Sequence, residues 1–389
     1  MNICFFTTEY PNQNSGGVEH VTYDLANAFI ENGHQVYIVS IFPNRSQSRG
    51  TKQFSGLIIG TNLNKLKDTI SYIDKNNIDV IIDQSHFSIT QCYLKEIKKK
   101  TRTKLIKVLH TDPAAAEKGT IDNCPILANN ILNIGKDKVI NIIRKIKRHK
   151  YLENEYKRWY SLYDKIVLLS DKFIPVFMSY IKTDLQNKVT SIPNPLIVNN
   201  TVTEFKKKNI VLYVGRLCQQ AKRPDRLICI WKKVYRNNPN WKLIVVGDGE
   251  LKQQLIKYCV NQRIENIEFI GQTDPNPFYR EASILCVTST YEGFSLVINE
   301  ALSYNVIPIA FKSFEAVSDL ISNGENGYLI KPFDLKEYAN CLNKLMHSET
   351  LQNQMRSFIT KRFDSQKYSV NTITNQWYTI FNNIISSSN

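Results

Sequence analysis

Two glutamates stand with seven residues between them in Glu292-Gly293-Phe294-Ser295-Leu296-Val297-Ile298-Asn299-Glu300. They bracket a strand-to-helix turn, because Ser283 to Thr288 is an apolar run of strand length and Leu296, Ile298, Ala301 and Leu302 recur at helical spacing. The start of a helix leaves backbone amides without partners, here those of Phe294, Ser295 and Leu296, and such amides receive phosphate oxygens. Gly293 lets a ligand approach closely. Carboxylates beside an anion site suit a ligand that carries both phosphates and hydroxyls. Glu300, roughly one and a half to two helical turns on, is placed to accept from two neighbouring ribose hydroxyls, and Glu292, at the strand end, from the hydroxyls of a second sugar.

Phosphate beside two carboxylates needs compensating charge. Val214-Gly215-Arg216-Leu217 closes one strand and Lys222-Arg223-Pro224-Asp225 opens the next helix, so Arg216 and Lys222 bring two fixed cations to one crossover. Gly215 frees the backbone there. The pair is either an ordinary set of surface charges or does what a metal does elsewhere, stabilising charge that builds on a leaving diphosphate. A further glycine turn, Gly247-Asp248-Gly249, would border the same pocket near its nucleoside end.

The first half holds fewer such residues. In Ser15-Gly16-Gly17-Val18-Glu19, Gly16 and Gly17 open the first helix after the first strand, either as a tight loop or as a ligand-facing one. The spacing is not Gly-x-Gly-x-x-Gly, which speaks against a nicotinamide cofactor. His110 closes the strand Lys104 to Leu109, at the carboxyl end where open sheets of this type bind ligands. His86 follows another strand end and is a weaker candidate of the same kind.

No Cys-x-x-Cys pair occurs among the eight cysteines, no His-x-x-x-His among the six histidines, and no Asp-x-Asp anywhere. A zinc site or disulfide framework is therefore not expected, and a mechanism without a metal is favoured. At 389 residues and 42% hydrophobic content, two α/β domains are the default expectation. No apolar stretch approaches the roughly 18 residues of a membrane span, and the first residues have no signal-peptide pattern, so the expected location is the cytoplasm.

The net charge is +15, and between Lys136 and Arg158 nine basic residues meet three acidic ones. Ile140, Ile142, Ile143, Ile146 and Leu152 are interleaved with them, giving an amphipathic basic helix that either lies on a membrane surface or nucleic acid or is a solvated face of its own domain.

These elements have to be positioned by alternating strands and helices. Ile3 to Thr8, Gln35 to Phe42, Ile78 to Asp83, Lys104 to His110, Lys165 to Ser170 and Lys188 to Ile192 are strand candidates, with a helix over Val18 to Asn32. A second series runs through strands at Asn209 to Val214, Lys242 to Gly247, Ile267 to Gly271, Ser283 to Thr288 and Val306 to Phe311, with helices at Arg223 to Arg236, Glu250 to Asn261 and Ser295 to Tyr304. Three more helices close the chain, ending in a polar tail. The alternation predicts two doubly wound parallel sheets. Ser191-Ile192-Pro193-Asn194-Pro195-Leu196 and the polar run after it mark the linker. The expected domains are 1–196, with a basic insertion at about 124–160, then 197–365, and a last helix at 366–389 that crosses back to the first.

Taken in order, Gly16-Gly17-Val18-Glu19, His110, Asn194-Pro195, Gly215-Arg216-Leu217 with Lys222, Gly247-Asp248-Gly249 and the Glu292–Glu300 pair resemble glycosyltransferase family 4, retaining enzymes of the GT-B fold. The resemblance covers nearly the whole chain. It implies two Rossmann-like domains facing across a cleft, Arg216 and Lys222 on the donor diphosphate, Glu300 on the ribose, and Glu292 and His110 beside the transferred sugar. It implies a nucleotide-diphosphate sugar as donor, UDP-linked by expectation, with no resident cofactor or metal. The acceptor implied is a glycan or a lipid-linked glycan of cell-surface polysaccharide or lipopolysaccharide synthesis. With the basic helix, that acceptor suggests peripheral contact with the anionic inner face of the cytoplasmic membrane. Two departures stand out: the lysine lies six residues after the arginine where five is common, and Ser295 stands where the family often has glycine. Rival expectations are a nucleotide-sugar epimerase of the same fold and a nucleic-acid-binding protein. The second is weakened because aromatic residues are not concentrated in the basic stretch.

Overall fold

The computed structural model of the chain describes residues 1–12, 16–43, 54–86, 88–118, 134–183, 187–196 and 206–386. Ser15, Cys124, the polar run 197–205 of the expected linker and the tail from 387 lie outside the described residues, as do the side chains of 134–141. The chain forms two compact units: Met1–His110 with Tyr151–Ile197 and Gln366–Asn389, and Thr111–Lys150 with Val198–Ser365.

The first sheet is built in the order β1 (Asn2–Glu9), α1 (Gly17–Glu31), β2 (Gln35–Phe42), β3 (Ser55–Ile58), α2 (Leu66–Lys75), β4 (Val80–Asp83), α3 (Ser88–Lys100), β5 (Lys104–Leu109), α4 (Ala115–Lys118), α5 (Ile134–Leu162), β6 (Lys165–Leu168), α6 (Phe173–Ile181) and β7 (Val189–Ser191). Its strands lie parallel in the order β3-β2-β1-β4-β5-β6-β7. Ile3, Phe5, Ile38, Ile81, Ile82, Leu105 and Ile106 are fully buried, as strands covered by helices on both faces require.

The second sheet follows from β8 (Ile210–Val214), α7 (Pro224–Val234), β9 (Lys242–Val246), α8 (Lys252–Asn261), β10 (Ile267–Gly271), α9 (Asn276–Glu281), β11 (Ile284–Val287), α10 (Leu296–Ser303), β12 (Ile307–Phe311), α11 (Val317–Leu320), β13 (Tyr328–Ile330), α12 (Leu335–His347) and α13 (Glu349–Arg362). Its order is β10-β9-β8-β11-β12-β13, again parallel. Both sheets are therefore doubly wound, with the direction of winding reversing between β1 and β4 and between β8 and β11. Ligands of such sheets bind beyond the strand ends at that reversal.

The last helix, α14 (Val370–Ser386), belongs to the first unit. Phe381 and Tyr378 each bring their rings to 5.7 Å from Phe29 of α1, and the Leu196 amide donates to the Tyr368 carbonyl at 2.7 Å. Residues 111–150, by contrast, group with the second sheet, although sequence order sets them among the strands of the first. Lys118 holds the start of this stretch, pairing with Asp112 at 2.6 Å and donating to the Ser313 carbonyl at 3.0 Å. The long helix α5 runs across the division.

Candidate active site

At the reversal point of the second sheet, register pairs Leu212 of β8 with Leu285 of β11, which brings the turns after these two strands side by side. Those turns carry Arg216 and Lys222 on one and Glu292 on the other. Packing fixes the frame. Arg226, fully buried on α7, donates to the Thr288 carbonyl at 2.8 Å and the Thr290 hydroxyl at 3.1 Å, while its guanidinium lies 3.8 Å from the centre of the Phe333 ring. The Thr288 hydroxyl returns a bond of 2.9 Å to the Arg223 carbonyl, and the Thr290 amide donates to the Ala221 carbonyl at 2.7 Å. Arg223 itself takes a left-handed conformation (φ 50°) immediately before Pro224 and chelates Asp225. The Lys-Arg-Pro-Asp-Arg run is thus a stitched corner, and its one partly exposed cation is Lys222.

Lys222 Nζ lies 2.8 Å from Glu292 Oε2, and the Ser289 hydroxyl donates to Glu292 Oε1 at 2.6 Å. Glu292 is 9% exposed. Its two oxygens are therefore both engaged, and the repulsion that the sequence suggested between Glu292 and a nearby anion is offset inside the protein by Lys222. Arg216 is exposed and forms no ion pair among the described residues. The buried Tyr213 hydroxyl donates to the Arg216 carbonyl at 3.2 Å, and burial keeps that phenol protonated far above its ordinary range.

Helix α10 begins at Leu296 with Ser295 as its cap, but the Ser295 side chain makes no capping bond and its buried hydroxyl has no partner among the described residues. The Ser295 carbonyl accepts from Ile298 and Asn299. The capping role that serine usually fills is left open here. Phe294 is buried beside it, Gly293 is buried, and Leu296 is partly exposed. On the same helix Glu300 accepts from the Tyr279 hydroxyl at 2.8 Å.

The glycine turns have a steric origin. A Cβ on Gly247 (φ 139°) would stand 2.0 Å from the Gly215 carbonyl oxygen, and one on Gly249 would stand 2.5 Å from that of Leu217. Gly247 is thus explained by the backbone of the Gly215–Leu217 turn pressing against it. That turn is fastened by the Gly215 amide on the Val246 carbonyl at 3.0 Å and the Leu217 amide on the Asp248 carbonyl at 2.8 Å.

In the first unit, Gly16 caps α1 in an extended conformation (φ −62°, ψ 169°) and its carbonyl accepts from the His20 amide at 3.0 Å, with Gly17 as the first helical residue. His110 follows β5 directly. Neither ring nitrogen has a partner among the described residues, and burial, with lesser help from His86 and Lys107, pushes its pKa down to about 3. Beneath it lies a cluster that the sequence reading did not single out. Lys107 Nζ, 2% exposed as a residue, sits 2.9 Å from Asp83 Oδ2 and 2.6 Å from the Ser85 carbonyl, with its charge 4.9 Å from the centre of the Trp159 ring. Asp83 also accepts from the Tyr163 hydroxyl and from the amide and hydroxyl of Ser85. A lysine in the middle of Leu105-Ile106-Lys107-Val108-Leu109 was the available signal, since lysine is almost never fully buried without a partner.

Residues 15–197 match the family described as Glycosyltransferase Family 4, and residues 199–362 match Glycosyl transferases group 1. The chain belongs to the family 4 type of glycosyltransferases. It is 29% identical over 373 residues to an uncharacterized glycosyltransferase of Haemophilus influenzae, covering 93% of this chain and 95% of that one. It is 22% identical over 376 residues, 94% of each chain, to the GalNAc-alpha-(1->4)-GalNAc-alpha-(1->3)-diNAcBac-PP-undecaprenol alpha-1,4-N-acetyl-D-galactosaminyltransferase of Campylobacter jejuni. Among solved structures, a variant of S. aureus TarM in complex with fondaparinux, alpha-GlcNAc-glycerol and UDP matches with a TM-score of 0.74 and 15% identity, over 98% of this chain and 100% of that one. The fold of this glycosyltransferase is GT-B. The similarities favour neither the epimerase nor the nucleic-acid-binding alternative.

Among the described residues no group of three or more His, Cys, Asp or Glu side chains comes together as a metal site, and no helix is long and apolar enough to cross a membrane.

Proposed function

We propose that this enzyme transfers a sugar, with retention of anomeric configuration, from a nucleotide-diphosphate donor to a lipid-linked or surface glycan, and that the second unit holds the donor. Residues 197–365 are read as the donor domain and 1–196 as the acceptor domain, with the helix at 366–389 completing the latter, although 111–150 group with the second unit. The observation that carries this reading is the corner at the β8–β11 reversal, where Lys222 pairs with Glu292 ahead of the start of α10, with Arg216 exposed on the same turn as Lys222. UDP is the expected nucleotide, since the matched TarM structure contains UDP.

The acceptor hydroxyl attacks the anomeric carbon on the face from which the diphosphate departs. The bond from that carbon to the phosphate oxygen breaks, the bond to the acceptor oxygen forms, and the acceptor's proton passes to the leaving phosphate. Arg216, Lys222 and the first amides of α10 (Phe294, Ser295, Leu296) stabilise the charge on that phosphate. Glu300 holds the ribose. In the second unit Glu292 contacts sugar hydroxyls, and Gly215, Gly247 and Gly293 give the backbone its close approach to the donor; in the first unit the neutral His110, Gly16 and Gly17 are the residues proposed to face a substrate. Retention through a covalent glycosyl-enzyme needs a carboxylate nucleophile with a second carboxylate as acid and base. Both oxygens of Glu292 are already engaged by Lys222 and Ser289, which favours attack from the leaving-group side. With labelled UDP-sugars as donors, Arg216→Ala and Glu300→Ala should each lower turnover at least ~100-fold; wild-type transfer or donor hydrolysis in either variant sinks the assignment.

The acceptor is a lipid-linked or membrane-surface glycan, and the enzyme works against an anionic membrane surface. On α5, Ile142, Ile143 and Ile146 are 61%, 49% and 64% exposed, among the exposed cations Arg144, Lys145 and Lys147. Apolar side chains of this size facing water between cations suit a headgroup boundary. Arg148 is partly engaged, donating to the Ala116 carbonyl at 3.0 Å. Changing Arg144, Lys145 and Lys147 to glutamate should abolish sedimentation with phosphatidylglycerol vesicles; unchanged binding contradicts the membrane reading.

A further inference from the structure

Tyr279 lies on the short helix α9 and is fully buried, yet its hydroxyl reaches Glu300 Oε2 at 2.8 Å on the neighbouring helix α10. Its ring stacks on Tyr304, with centroids 5.7 Å apart and planes inclined by 13°. The Tyr304 hydroxyl in turn donates to Asn276 Oδ1 at 2.9 Å, and Asn276 is tied to Asp274 through its own amide at 3.1 Å and its side chain at 2.8 Å. The Tyr279 carbonyl accepts from Lys207 Nζ at 2.9 Å. Ring, hydroxyl and backbone of Tyr279 are thus all held.

Burial, reinforced by the charge of Glu300, keeps the Tyr279 phenol protonated well above its ordinary range, so it is a permanent donor. The bond to Glu300 is a charge-assisted one, shorter and stronger than a neutral pair. A carboxylate that receives such a bond on one oxygen has its plane fixed, and a pair of neighbouring sugar hydroxyls can be gripped only by a carboxylate in the right plane.

We propose that Tyr279 is a positioning residue for nucleotide recognition: through Glu300 it sets the enzyme's selection of an intact ribose on the donor. This rests on the reading of Glu300 as the ribose ligand. Tyr279→Phe removes the hydroxyl and keeps the ring on Tyr304, so the packing between α9 and α10 is retained.

The test is calorimetric titration with UDP and with 2′,3′-dideoxy-UDP. Wild type should prefer UDP, Glu300→Gln should lose that preference, and Tyr279→Phe should bind UDP about ten-fold more weakly while binding the dideoxy compound as wild type does, the loss of one hydrogen bond to a charged group. The double variant should bind UDP no more weakly than Glu300→Gln alone, because both changes remove one arrangement. If Glu300→Gln loses the preference and Tyr279→Phe keeps it, or if the two losses add in full, the role of Tyr279 is overturned and that of Glu300 stands. If wild type shows no preference, the ribose assignment fails and takes this proposal with it. A Tyr279→Phe protein too unstable to titrate is replaced by a KM and kcat comparison at low temperature, where a rise in donor KM at constant kcat supports the role and a fall in kcat alone contradicts it.

Discussion

The two strand-end clusters handle charge in opposite ways. In the second unit the cations are placed at the rim: Arg216 is exposed, and Lys222, with 27% of its side chain accessible, leans on Glu292. In the first unit Lys107 is sealed under the surface by Asp83, Ser85, Tyr163 and Trp159, and His110 is held neutral. One unit offers charge to a ligand and the other hides it. A site that must stabilise a departing diphosphate needs the first arrangement, and a site that must recognise sugar hydroxyls without drawing in free anions is served by the second.

Breaking the sealed pair has the largest expected effect. Lys107→Met leaves Asp83 charged, buried and without its cation, and should cost about 3–5 kcal/mol of stability by denaturant unfolding. Adding Asp83→Asn removes that charge while still offering an acceptor to Ser85, so the double variant should recover most of the loss. Equal instability of the two variants would mean that packing, and not charge, is what the cluster supplies.

A second effect, spread over the acid range and absent at neutral pH, follows from His110. In the unfolded chain an imidazole takes up a proton near pH 6.5, whereas in the folded protein burial defers this to about 3. Between those values the unfolded state binds more protons. Stability is therefore complete above about pH 6.5 and is lost as pH falls toward 3, by at most about 1.4 kcal/mol per pH unit from this group. Chemical unfolding of His110→Gln across that range should show a correspondingly shallower slope, and an unchanged slope would mean that His110 titrates normally.

Much of the second cluster was legible from the sequence. Strand β11, helix α10 and the glycine turn after β9 each follow from an apolar run, a periodic segment and a turn signal in a row, and Gln35–Phe42 and Ile267–Gly271 match the expected bounds. Strands β3 and β13 were missed, because Ser55-Gly56 opens the first and Gly324-Glu325-Asn326-Gly327 precedes the second, so both stretches read as turns. What could not be read were the partners. That Lys222 pairs with Glu292, 70 positions away, and Lys107 with Asp83, 24 away, depends on which strands lie side by side, and no local pattern encodes that. Gly247 shows the same limit from the other side: its presence in a turn was visible, but the carbonyl of Gly215 that forbids any side chain there was not.

The most direct test of the contrast is titration of UDP into the wild-type enzyme and into the Arg216→Ala, Lys222→Ala double variant. If the second unit's exposed cations hold the diphosphate, the double variant should bind UDP at least about 100-fold more weakly, the loss of two charge-assisted contacts. Equal affinity in the two proteins would place the diphosphate elsewhere and contradict the account.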